Sequence, residues 1–342
     1  MNAPLSFPRD ESAHESVIEW WYFNGNLRSA DNRDFAFMYC LFKADPQKVK
    51  LPFFDKMPVK NFYFSHFLIS DIAGKRYNSG VRFFYEGIDK ESFSKPLLFI
   101  KEKETLLLEE NPESEYQLQT GDLNLKLSSK KNPLLVNGSG WIDLGTKSTY
   151  YYSLTHLETS GAIRFNGREI SVQGLSWMDH QWADTYYSSE DTWTWFSIQL
   201  SDGIEILCFE YGKTRKTLLA SRIDSGGAQA TTRRVILEPL KKTWVSPKTQ
   251  AVYQVEWRIE LPDWELVMAV KAKIADQEVL FGSINYWEGA VEVSGTRAGK
   301  EISGQGFLEM VGVPMKKKLS ELYLEEAKEM VSDYLAKYGY RP

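Results

Sequence analysis

Two stretches of this chain occur twice, in the same order. Glu169-Ile170-Ser171-Val172-Gln173-Gly174 returns as Glu301-Ile302-Ser303-Gly304-Gln305-Gly306, and just upstream Gly161 to Gly167 returns as Gly289 to Gly295. Trp20-Trp21-Tyr22-Phe23 with Leu27 returns as Trp193-Thr194-Trp195-Phe196 with Leu200. Each of the latter is followed by a turn and an apolar run, Phe35 to Phe42 and Ile204 to Tyr211. A fixed order of echoes means one supersecondary unit used twice, so the fold must be built from two copies of a β-module. The boundary falls near Asp184 to Glu190.

The rest of the pattern agrees. Short runs of alternating or apolar residues are separated by turn signals, as in a barrel or sandwich. Thr120-Gly121-Asp122 separates two such runs, Asn166-Gly167 is a strong hairpin signal, and Pro262-Asp263 marks another turn. Glu158 to Gly161 also reads as a turn, between strands over 150–156 and 162–165. At 342 residues the chain is long enough for two domains. The expectation is an all-β protein of two tandem lipocalin-like antiparallel β-barrel domains, over 1–185 and 186–318. Such a barrel can enclose one small ligand. A C-terminal α-helix is expected over 319–342, where Ser320 can cap a run with Leu322, Ala327, Met330, Val331, Tyr334, Leu335 and Tyr338 at helical spacing.

Charge and composition exclude several functions. The formal net charge of −5 argues against nucleic acid or an anionic membrane as partner. No apolar run of about 18 residues is present, so no transmembrane segment is expected. Met1 to Asp10 is polar and lacks a signal-peptide core. That predicts a cytoplasmic protein as given, or a periplasmic or secreted one if a leader has been removed. Cys40 and Cys208 sit in apolar runs and read as buried, inert thiols. His14, His66 and His156 have no ligand spacing and no paired cysteines beside them, so no metal is expected. No glycine-rich phosphate loop precedes a helix, so no cofactor is expected either. Aromatic residues make up 14% of the chain, enough to wall an apolar ligand site.

The candidate site is Trp177-Met178-Asp179-His180-Gln181-Trp182, expected where a strand hands over to a loop. It places an acid, an imidazole and two indoles within six positions. It is also where the two copies diverge, since the second has Leu308 to Val313 there. Scaffold must repeat, whereas a single site need not. The plainer alternative is a buried Asp179–His180 pair that locks the loop.

These residues resemble the motifs of a known family. Glu19 to Leu27 resembles an EWWY followed by G-x-L, and Trp177 to Trp182 resembles W-x-D-H-x-W. Tyr286-Trp287-Glu288-Gly289 with Gly304 to Glu309 resembles Y-x-E-G and G-x-G-x-x-E. The family is that of hydroxyneurosporene synthase (carotenoid 1,2-hydratase) and the AttH-like lipocalin-type proteins. The resemblance implies two lipocalin-like barrels side by side. It also implies activities such as carotenoid or phytoalexin hydration and polyene cyclisation. By position it places His180 and Trp182 at the hydratase site, with an acid on the following hairpin, for which Glu205 and Glu210 both qualify. It adds Trp21 and Tyr22 of the signature, and His66, as ligand contacts.

Alkene hydration needs only a buried acid that keeps its proton, and aromatic faces for the cation that forms. Asp179 or Glu210 can be that acid, His180 can position water or orient that acid, and Trp177, Trp182 and Trp195 can line the pocket. The expected partner is a hydrophobic, isoprenoid- or polyene-like small molecule, hydrated or isomerised without a cofactor. A non-catalytic lipocalin-type carrier is the alternative. Oligomeric state is open.

Overall fold

A computed structural model describes residues 3–48, 61–85, 98–101, 104–109, 115–145, 147–185, 191–281 and 284–317. The helix expected over 319–342 lies outside them, as does most of the expected boundary at 184–190. The described residues are almost all strand, joined by turns and short 3-10 segments, with no α-helix among them. No helix among them is long and apolar enough to cross a membrane.

Two large antiparallel sheets carry the chain, curled in the manner of a half-barrel. In the first, Ile18–Ser29 is clamped between Asp34–Ala44 and Arg168–Ala183. Phe62–Asp71 and Arg76–Tyr85 continue one side, and Ser148–Phe165 and Leu123–Ser129 continue the other. The second sheet repeats this order. Trp193–Leu200 is clamped between Glu205–Tyr211 and Lys300–Val311, flanked in turn by Thr217–Ile223 and by Ile284–Arg297. The echoed sequences are thus the opening strand and the closing hairpin of each sheet. The echoed Gln-Gly steps have a steric reason. A Cβ on Gly174 would collide with the backbone of Asn26 and Leu27, and one on Gly306 with that of Ser197 and Ile198.

Strand alternation sorts the side chains into three cores. Trp21, Phe23, Leu27, Phe35, Phe37, Tyr39, Tyr152 and Trp182 fill the concave side of the first sheet. Phe196, Ile198, Ile206, Trp257, Met268 and Trp287 fill that of the second. The intervening positions of both sheets (Tyr22, Met38, Cys40 and Trp177 from the first; Trp195, Phe209, Tyr286 and Phe307 from the second) pack against each other in a shared third core. The opening strands are therefore buried on both faces, which is why they read as continuous apolar runs.

Two local expectations are corrected. Ser148–Phe165 is one strand of 18 residues, not two strands joined at Glu158 to Gly161. The turn-like residues alternate instead, with Glu158 and Ser160 exposed and Leu157 and Thr159 buried. The chain reverses at Asn166-Gly167, both at positive φ. Nor does Asp179-His180-Gln181-Trp182 open a loop, since it lies within the strand Arg168–Ala183.

Candidate active site

Placing the central motif in a strand splits it. Successive residues point to opposite faces. Asp179 and Trp177 face the shared core, whereas His180 and Trp182 face the core of the first sheet. The acid and the imidazole therefore belong to different clusters.

Cross-strand register builds the first cluster. One row of directly opposed residues runs across the first sheet: Ser153, Asp179, Tyr22, Cys40, His66. The corresponding row of the second sheet is Glu288, Glu309, Trp195, Phe209, Leu219. In this register Asp179 and Glu309 are counterparts, each opposite the aromatic residue of its opening strand. The two rows meet in the shared core. Tyr22 donates its phenolic O–H to Glu288 Oε1. His66 Nδ1 lies 2.5 Å from Tyr286 Oη, with the rings stacked. Trp195 Nε1 donates to Tyr151 Oη at 2.8 Å.

Asp179 sits in a cradle of donors. Its Oδ1 accepts from Ser153 Oγ and from Trp177 Nε1, both at 2.6 Å, and its Oδ2 accepts from Tyr151 Oη at 2.5 Å. Burial drives its acidity down, and these three bonds pull partly the other way, leaving a pKa of about 7. Glu288 is buried and is pushed well above the carboxylate range by desolvation and by the neighbouring Glu309, against one bond from Tyr22. Glu309, half-buried as a residue, has its carboxyl raised to about 7 by burial and by Asp179, against a bond from Trp193. Burial also lowers His66 to about 3, so its ring is neutral at neutral pH. Three carboxyl groups thus share an aromatic core that raises the pKa of each. Phenols and indoles from both sheets surround them.

The second cluster is a closed polar network. Glu19 and His180 are fully buried. His180 Nε2 is 2.9 Å from Glu19 Oε1, and His180 Nδ1 is 3.2 Å from Tyr152 Oη. Glu19 Oε1 also lies 2.7 Å from His14 Nδ1, and Lys43 Nζ is 3.2 Å from Oε2. Burial disfavours the Glu19 anion, but donors from His14, His180 and Lys43 outweigh it and hold its pKa at about 2. Burial lowers His180 to about 4, so it serves as a neutral donor. Trp21 stacks on His180 and Trp182 stacks on His14. The fold therefore gathers His14, Glu19 and His180 within metal-ligand reach, which their sequence spacing concealed. Lys43 already supplies the positive charge that balances Glu19.

The remaining expected residues fall elsewhere. Glu205 is buried, but it binds Lys131 and His156 of the first half, four positions along its strand from Phe209. Glu210 points the other way and pairs with Lys216 near the surface. Neither joins the three carboxyl groups. Of the expected ligand contacts, Trp177, Trp195, Tyr22 and His66 meet in the shared core, while Trp21 and Trp182 do not. Glu288, Glu309 and Tyr286 enter the sequence reading only as motif residues, and Tyr151 and Ser153 not at all, whereas the fold adds all five to this cluster. Their signal was present, because Tyr286-x-Glu288 and Phe307-x-Glu309 put an acid on the same strand face as an aromatic, as Trp177-x-Asp179 does.

The AttH-like family profile matches residues 1–313. Among curated relatives, a dehydratase, asqC, of Emericella nidulans is 25% identical over 207 residues, covering 56% of this chain and 58% of the relative. Kievitone hydratase of Fusarium solani subsp. phaseoli is 22% identical over 184 residues, covering 51% and 52%. The chain thus spans somewhat over half the length of the curated relatives it matches. Among solved structures, an AttH protein from Nitrosomonas europaea is 26% identical with a TM-score of 0.78, covering 91% of this chain and 98% of that one. The kievitone hydratase of Nectria haematococca shares the fold, with a TM-score of 0.68 at 16% identity over 90% and 93% of the two chains.

Proposed function

The chain belongs to the AttH-like family, and from that premise we propose that it adds water to, or removes it from, a carbon–carbon double bond of an apolar small molecule. The observation that carries this reading is the set of three carboxyl groups, Asp179, Glu288 and Glu309, facing one another in the shared aromatic core. Proton transfer to an isolated alkene needs an acid that remains protonated at neutral pH, and burial among like charges provides one. The cation that forms is stabilised by electron-rich ring faces, here those of Tyr22, Trp177, Trp195 and Tyr286. The hydratase and dehydratase relatives support the same chemistry, run in either direction.

The substrate class in this reading is isoprenoid- or polyene-like, because the walls are aromatic and two of the three carboxyl groups are buried. The architecture in this reading is two lipocalin-like barrels, over 1–185 and 186–318, with the site between them rather than inside either. Separate concave cores for the two sheets and a third core between them support that division.

The test is incubation with a panel of apolar isoprenoid and polyene alkenes, and their tertiary alcohols, in isotopically labelled water. Mass spectrometry reads label incorporation, and Trp fluorescence quenching reads binding. Asp179→Asn and Glu288→Gln are expected to abolish incorporation and to leave binding within about tenfold. Incorporation that survives both substitutions overturns the reading. Binding with no turnover of any compound makes the protein a carrier.

A further inference from the structure

Glu288 and Glu309 are directly opposed residues on neighbouring antiparallel strands, on the same face of the sheet. Side chains so placed have Cβ atoms about 4.5–5.5 Å apart, and like charges there repel. The corresponding pair in the first sheet is Ser153 opposite Asp179, an acid facing a hydrogen-bond donor instead of a second acid. The donor sets differ accordingly. Asp179 accepts from Ser153, Trp177 and Tyr151. At the register positions matching these three, the second sheet has Glu288, Phe307 and Tyr286. Glu288 accepts from Tyr22, and Glu309 from Trp193. The two halves therefore offer unlike environments to their acids, one turning three donors on a single acid and the other setting two acids opposite each other.

We propose that the Glu288–Glu309 pair holds a single proton between its two carboxyl groups and is the proton donor of the site, while Asp179, in its ionised form, is the proton acceptor. This assignment rests on the hydration reading for its chemistry, but the resting protonation states stand without it. In the hydration direction the pair gives its proton to one alkene carbon. A C–H bond forms, the π bond breaks, and the neighbouring carbon becomes cationic. A water oxygen bonds to that carbon, and Asp179 takes a proton from the water. The substrate has gained one water, the pair is one proton short, and Asp179 holds one extra. The pair then takes up a proton and Asp179 releases one, which restores the starting state. Dehydration runs the same steps backwards with the same groups in exchanged roles.

The test reads the protons directly. Infrared spectra of the substrate-free protein at about pH 8.5, where Asp179 with its pKa of about 7 is ionised, are expected to contain the carbonyl stretch of a protonated carboxylic acid. Biosynthetic labelling of glutamate side-chain carboxyls with heavy carbon should shift that band, and labelling of aspartate carboxyls should leave it in place. The band should persist in Asp179→Asn and disappear in Glu288→Gln. Labelling requires no substitution, so a variant that fails to fold leaves the question decided. A band that moves with aspartate label, or the absence of any such band, overturns the assignment. Where turnover is measured, its pH profile gives a second readout. Asp179 must be ionised, so the rate rises with pH on the acid side, and Asp179→Asn removes that limb along with most of the rate. The pair must hold a proton, so the rate falls at high pH, and Glu309→Gln should move that limb. Failure to find any substrate counts against the hydration reading alone, because the infrared result is obtained without one.

Discussion

Tyr22 reaches across the molecule to donate its phenolic O–H to Glu288, a residue 266 positions later in the chain. The bond joins the opening strand of the first sheet to the closing hairpin of the second. It places the ring of Tyr22 edge-on to Trp195, at 5.5 Å between centroids. One side chain thus orients an acid, lines the core and ties the halves together.

Tyr22→Phe keeps the ring and removes the donor. Glu288 would then be buried with its main hydrogen bond gone, a loss of about 1–3 kcal/mol. The expected outcome is a lower midpoint in chemical denaturation with an unchanged slope. Turnover, where measured, should fall further than substrate binding. An unchanged midpoint would mean that the bond does not form in solution.

Asp179 carries a prediction for pH. Its folded-state pKa is about 7, above the unfolded value, so the folded protein holds a proton that the unfolded chain has released. Its contribution to stability is fully present below pH 4 and is lost as pH rises through 7. At about 1.4 kcal/mol per unit, the difference amounts to about 4 kcal/mol as an upper limit. Asp179→Asn, which cannot ionise, should be more stable relative to the parent at pH 8 than at pH 5. Denaturation curves at the two pH values decide it, and an equal difference at both removes Asp179 from the raised-pKa group.

The sequence made some of this legible and hid the rest, for identifiable reasons. The echoes around Trp20 and Trp193, and around Glu169 and Glu301, located the opening strand and closing hairpin of both sheets, because a repeated backbone needs repeated glycines and ring residues. Asp179 and His180 read as partners because they are adjacent, but adjacency within a strand means opposite faces. Glu309 stays hidden because the two copies differ around it in sequence, whereas both carry an acid at matching register. His14 came near Glu19 and His180 only through the path of a polar N-terminal segment that carries no periodic signal. The bond from Tyr22 to Glu288 depends on how two sheets pack, and no spacing in one sequence encodes that.

His66 and His180 provide a titration of opposite sign. Burial lowers their pKa values to about 3 and about 4. Below pH 6.5 the unfolded chain takes up protons that these folded-state rings refuse. Their contribution to stability is therefore present above pH 6.5 and is lost as pH falls towards 4. Each should add a slope of at most about 1.4 kcal/mol per pH unit in that window. His66→Phe should flatten the stability profile between pH 6 and pH 4 relative to the parent. A parallel profile would mean that His66 is protonated in the folded protein.

Asp179→Asn and His180→Ala separate the two clusters. The neighbouring side chains point in opposite directions, so the consequences should differ in kind. His180→Ala removes a ring stacked on Trp21 at 4.6 Å and deletes a donor to Glu19, whose anion has no exposure to water. A cavity and an under-bonded buried carboxylate together cost about 3–5 kcal/mol. The expected result is a large loss of thermal stability, with whatever folded protein remains keeping the parent's pH profile for turnover. Asp179→Asn should stay folded and lose turnover. Circular dichroism melting and turnover at two pH values distinguish them. If His180→Ala folds as well as the parent and is inactive, His180 acts in the chemistry, and the division into a reactive cluster and a fold-locking one is wrong.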